Sequence, residues 1–333
     1  MYVRRNIRWS LVWRFAWKHI VIFSVYGSAV VGCYVFAQAR GIDISLPYAP
    51  LGTIGVAVAF YIGFKNNQAY DRFWEARKIW GGVVNESRTW ANRVLTLPVA
   101  GEEADNELRS MQRRLVYRHV AWINSLRLQL RKTTILDRSQ QTSYVPDLHI
   151  DLDRDQCDGL REFLTDQDKE RLNGVANKAT HLVRFQGEDV QRLRQSGFVD
   201  AFQEQLLHEP LRELYNLQGK CERIKSTPLP RQFAYFSSVF VWLFALLLPF
   251  GLLGLLRDWN PQWVWLAVPL SVTISWMFNT IEVVGDNSED PFENYVNDVP
   301  MTALCRTIEI DLRQMLGERE VPEPIRPVAD ILM

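Results

Sequence analysis

The chain has 333 residues, 47% of them hydrophobic, with 38 basic and 38 acidic side chains. Zero net charge gives no global attraction to nucleic acid. The cysteines, Cys33, Cys157, Cys221 and Cys305, are far apart, with no CxxC pair and no histidine in ligand spacing, so they read as free thiols with no metal site and no cofactor. No HExxH, GxGxxG, Walker loop or GxSxG elbow is present, so the chain is not read as an enzyme.

The apolar residues are concentrated at 20–37, 50–64, 231–256 and 261–284, on either side of a long charged stretch. The expected division is an amphipathic interfacial N-terminus (1–19), transmembrane helices one and two (20–64), a cytoplasmic helical region (65–230), transmembrane helices three and four (231–284) and a cytoplasmic C-terminal segment (285–333). The expected fold class is an all-α integral membrane protein with four transmembrane helices and a large cytoplasmic helical bundle.

In chain order, Arg4, Arg5, Arg8, Arg14 and Lys18 among Trp9, Trp13 and Trp17 read as a basic, aromatic lead-in at the membrane interface. The run Ile20–Ala37 is long enough to cross a bilayer. A second span starts near Pro50 and reaches Phe64. No breaker follows, so one long helix leaves the membrane and continues into the cytoplasm. Lys65, Arg72, Arg77 and Lys78 follow its exit, whereas the linkers after spans one and three carry only Arg40 and Arg257. The positive-inside rule then places both termini in the cytoplasm, at the inner membrane. Leu108, Met111, Leu115, Val116 and Val120 share one face of a further helix. Residues 133–158, with Pro146, read as loop. Thr165 to Asp168 fits a helix start, and Asp200 to Arg223 a helix. Spans three and four form a hairpin around Arg257–Pro261, marked as an interface by Trp259, Trp263 and Trp265.

Three features carry candidate function. Val56, Phe60 and Phe64 recur every four residues and form one stripe on the second span, beside the small residues Gly52, Gly55, Ala57, Ala59 and Gly63. The stripe either packs on the chain's own spans or, in a ring of copies, lines a pore as a hydrophobic constriction. Asp286, Glu289, Asp290, Glu293 and Asp298 crowd the exit of span four, as a divalent-cation site or as a solvated turn. Glu282 lies at the edge of span four, either as an intramembrane functional carboxylate or as a helix-terminal one in interfacial water.

The run Gly63-Phe64-Lys65-Asn66-Asn67, then Tyr70, Arg72, Phe73, Trp74-Glu75-Ala76-Arg77 and Trp80-Gly81, resembles the second-helix signature of bacterial bestrophins. Cys221-Glu222-Arg223-Ile224 with Thr227-Pro228 and Pro230 resembles the approach to their third span. Glu289-Asp290-Pro291-Phe292 with Asn297-Asp298-Val299-Pro300 resembles the motif after their fourth, and Ile308–Leu312 matches in the tail. These pieces run in order nearly from end to end.

The resemblance implies a bestrophin-like homopentamer in the lipid bilayer, passing inorganic ions through one central pore. It puts the pore neck at Val56, Phe60 and Phe64, the stripe already found by spacing, and a cytoplasmic aperture at Phe202. The motif after helix four falls on Asp290, Pro291, Phe292, Asn297 and Asp298. Animal bestrophins carry a run of aspartates after the Pro-Phe pair. Here the stretch is Glu293-Asn294-Tyr295-Val296-Asn297, with only Asp298 acidic at a ligand position, so calcium is not expected to be an essential ligand. Aromatic edges turned to a dry axis favour chloride-like anions. A sodium or potassium channel of the same architecture, a membrane-anchored helical scaffold and a secondary transporter are the alternatives, the last disfavoured by the absence of repeats and of a broken span.

Overall fold

The computed structural model describes residues 1–332 apart from 2, 7, 133–159, 161, 296 and 329. The expected loop 133–158 with Cys157, and the Val296 position, lie outside the described residues. The described helices are α1 (Trp9–Gln38), α2 (Tyr48–Thr96), α3 (Asp105–Arg131), α4 (Asp166–Arg171), α5 (Lys178–Gln195), α6 (Ala201–Ser226), α7 (Arg231–Trp259), α8 (Ala267–Ser288) and α9 (Met301–Met315). No β-strand occurs among the described residues.

Four helices, α1, α2, α7 and α8, are long and apolar enough to cross a membrane. They pack together, with α8 against α1, α2 and α7. Val31, Tyr34, Leu51, Val58, Ile62, Val241, Phe244, Leu248 and Leu253 form their common core. Close approach rests on single glycines. A Cβ on Gly55 would lie 2.9 Å from the Phe244 ring, and one on Gly251 2.3 Å from Leu51 Cδ2. Gly63 meets nothing within 4 Å, so the small residues of α2 do not form one packing seam within the chain.

The expected lead-in and first span share one helix. α1 is unbroken from Trp9, because no glycine or proline interrupts the chain before Gly27. Trp9, Trp13 and Trp17 form an exposed row on that helix, continuous with the span rather than lying across it.

The second bundle is built on the far half of α2. At 49 residues α2 is about 70 Å long at 1.5 Å per residue. Ala76, Trp80, Val83, Trp90, Ala91 and Val94 bury its inner face against α3, α6 and α9. Leu108, Met111, Leu115, Val116 and Val120 of α3 all enter this core, as their helical spacing requires. The helix ends follow local chemistry. Thr165 caps α4 and Asn177 caps α5, each accepting a backbone N–H in the first turn. Gly197, at φ +76°, ends α5 in the left-handed conformation that a side chain disfavours. Asp200 and Gln203 then form a reciprocal capping box that starts α6.

Candidate functional site: the α2 rows and the α8 exit

In its membrane half α2 carries two rows of opposite character. Leu51, Gly55, Val58, Ile62, Lys65 and Ala69, spaced by three and four residues, are the buried row. On the other side Val56, Phe60 and Phe64 are exposed at 58%, 65% and 64%. Among the described residues this stripe lies outside the buried core shared by the four spans. Phe60 and Phe64 stack on each other at 6.5 Å between centroids. Phe202 is 69% exposed on the first turn of α6, so it is not a core residue of that helix.

Lys65 corrects the sequence reading. It is expected as one of the basic residues just past the exit of the second span, yet its side chain is 0% exposed. Its ammonium bonds Glu282 Oε1 at 2.6 Å and also the Asp286 carboxylate, both on α8. Glu282 accepts from Ser237 Oγ of α7 at 2.6 Å through its other oxygen. Glu282 is therefore neither lone nor in interfacial water. The next residue, Asn66, donates to the Ile281 carbonyl at 2.9 Å. The signal was in the sequence: Lys65 is three residues after Ile62 and continues the row opposite the aromatic stripe.

The acidic stretch after α8 does not gather around a common centre among the described residues. Each carboxylate but one takes its own cation. Glu289 pairs with Arg231 at 2.7 Å, Asp290 faces Arg72 at 3.8 Å, and Glu293 pairs with Lys225. Burial holds Glu289 above the usual carboxylate range, with Asp290 adding to the effect and Arg231 opposing it. Asp298 is buried and folds back on its own loop, accepting from Tyr295 N at 3.0 Å. Its pKa is pushed up to about 7, chiefly by burial. Pro291 and Phe292 are buried, and the Pro291 carbonyl accepts from Val299 N at 3.1 Å. Asn297 is half-buried. The motif is a compact turn that seats Phe292 in the core beneath the spans.

Arg72 joins the two halves of the molecule. Its guanidinium donates to the Ile224 and Thr227 carbonyls at the end of α6, at 3.0 and 2.7 Å, and to the Glu289 carbonyl after α8 at 2.9 Å. The orphan carbonyls of two helix ends are thus satisfied by one side chain of a third helix.

The geometry defines a class: a multi-pass helical membrane protein whose second span runs on unbroken into an extramembrane bundle. Residues 2–314 match the family model of the bacterial/fungal bestrophin proteins, and the chain belongs to that family. It is 32% identical over 302 residues, 90% of this chain and 85% of the relative, to a voltage-dependent anion channel-forming protein of Mesorhizobium japonicum. It is 29% identical to the voltage-dependent anion channel-forming protein YneE of Escherichia coli K12, over 93% of this chain and 90% of that one. The crystal structure of a bacterial bestrophin homolog from Klebsiella pneumoniae superposes with a TM-score of 0.75 at 28% identity, covering 91% of this chain and 99% of the other.

Proposed function

We propose that the chain is the subunit of a homopentameric, passive anion channel of the cell's inner membrane, with both termini cytoplasmic. In this reading residues 20–64 and 231–284 are its membrane part, 1–19 reaches the membrane interface as the first turns of α1 and the segment before it, and 65–230 and 285–333 are its cytoplasmic parts. The α2 helices line the pore, Val56, Phe60 and Phe64 form a hydrophobic neck, and Phe202 forms a second aperture at the far end of the cytoplasmic bundle. One observation carries it: the aromatic row of α2 is exposed along a span whose opposite row is buried. One such helix cannot enclose a pore, so the row needs a closed ring of copies. The anion preference is supported by the names of the relatives, which are anion channel-forming proteins.

A dry aromatic constriction fits that preference. Anions lose their hydration more readily than small cations, and aromatic edges present partial positive charge. The test is planar-bilayer recording of purified protein under asymmetric salt, with Phe60→Ile beside the parent. The parent is expected to reverse towards the chloride potential, and Phe60→Ile to reverse closer to zero. A parent reversing towards the cation potential rejects the anion reading. An unshifted reversal in Phe60→Ile removes Phe60 from selectivity. Ion flux absent from liposomes holding the oligomer leaves a membrane-anchored scaffold.

A further inference from the structure

We infer that Lys65 is a positioning residue of the neck, which fixes the rotation of α2 and so the direction in which Phe64 and Phe60 point. The inference rests on the reading of the aromatic row as pore wall. Lys65 is the one ionisable side chain in the buried row of α2's membrane half, among Leu51, Gly55, Val58, Ile62 and Ala69. The hydrophobic effect that holds that row against its neighbours is non-directional, so it defines the rotation of α2 less sharply than oriented polar bonds do. Charge-assisted hydrogen bonds are directional. The ammonium is held by two carboxylates one turn apart on α8, and one of them is held in turn by Ser237 of α7.

The lock is adjacent to the ring it orients. Lys65 follows Phe64 directly, so their side chains leave the helix about 100° apart, separated by roughly 1.5 Å along its axis. Asn66 adds a second tie to the same turns of α8 through the Ile281 carbonyl. Gly285 makes room for it, since a Cβ there would lie 1.9 Å from Asn66 Oδ1. Side chains reach about 5–6 Å from a helix axis, so a 20° rotation of α2 would move the Phe64 ring by roughly 2 Å. In a narrow constriction that displacement is comparable with the radius of the permeant ion. Lys65 itself faces away from the pore, so it acts on permeation through Phe64 and not by contact with ions.

The charge-neutral double variant Lys65→Met/Glu282→Gln removes the lock and leaves the net charge of the cluster unchanged. It is recorded beside the parent, Lys65→Arg, Ile62→Ala and Phe64→Ala, each checked for the parental oligomer mass. The expected result is at least a three-fold change in the anion-to-cation permeability ratio or in single-channel conductance for the double variant. Lys65→Arg, which preserves the bonds to α8, stays within two-fold of the parent. Ile62→Ala, a packing change on the same row, lowers thermal stability but leaves permeation within two-fold. A double variant with parental mass and parental permeation overturns the inference, as does an Ile62→Ala change of equal size. If the double variant does not assemble, Asp286→Asn, whose side chain is the most exposed of the three, carries the test, and parental permeation there overturns it. A Phe64→Ala channel with parental permeation rejects the neck itself. A Phe64→Ala change without a Lys65 effect rejects only the positioning role.

Discussion

Arg72 concentrates more structure in one side chain than any apolar residue of α2. It supplies three hydrogen bonds to carbonyls of two other helix ends, with Asp290 close by. A hydrogen bond to a charged donor contributes roughly 1.5–3 kcal/mol, and carbonyls left without a donor add a desolvation cost. Arg72→Gln can keep only part of this set. It is expected to lose about 2–4 kcal/mol of stability, read as a lower unfolding temperature of the purified oligomer. A variant within 1 °C of the parent would show that water replaces the guanidinium at no cost. Asp298 makes a second case at this scale. Its carboxyl titrates near 7 in the folded chain against an ordinary value of 3.8. The folded state therefore holds a proton that the unfolded state has already lost, and this contribution to stability declines as pH rises through about 4 to 7. Asp298→Asn retains the acceptor for Tyr295 N without the proton. The parent should lose unfolding temperature relative to Asp298→Asn between pH 5 and pH 8. Parallel pH profiles would show that Asp298 is ionised throughout.

Among the helices, α2 was legible in sequence for a physical reason. Nothing between Pro50 and Pro98 removes a backbone donor, so the helix runs through its charged stretch without a stop. Gly81 and Gly82 are the weak point of that reading, yet both remain helical. Gly82 is in place because a Cβ would meet Leu217 Cδ2 at 3.0 Å, while at Gly81 the nearest atom is the end of Arg77 at 3.8 Å. Gly81→Ala should therefore stabilise the oligomer by about 0.5–1 kcal/mol, through backbone entropy alone. A loss of stability would place a neighbouring subunit against Gly81. What sequence could not supply was the partner of each charge. Lys65 looked like an interfacial cation because positive residues after a span usually are. Its burial follows from the row it continues, but its partners are two carboxylates more than two hundred residues away, which no local pattern encodes. The acidic stretch after α8 left a cation site and a solvated turn both open in sequence; in the fold Asp286, Glu289, Asp290 and Glu293 face Lys65, Arg231, Arg72 and Lys225. Phe202 was reached only by resemblance, since a lone phenylalanine at a helix start has no periodic partner.

The described residues form two helical bundles threaded by one rod. Native mass measurement in mild detergent should give five chains. A monomer or dimer would leave the exposed row of α2 without an axis to face. Calcium removal is expected to be without effect on current, because Asp290 faces Arg72 and Glu293 pairs with Lys225. Current abolished by chelator and restored by micromolar calcium would contradict this. The length of α2 has a mechanical side as well. The tie of Arg72 to the ends of α6 and α8 divides it unequally: Phe60 stands about 18 Å from it on one side and Thr96 about 36 Å on the other. One continuous helix thus carries both the exposed aromatic row and the buried inner face of the second bundle, so neither can shift along its axis independently of the other.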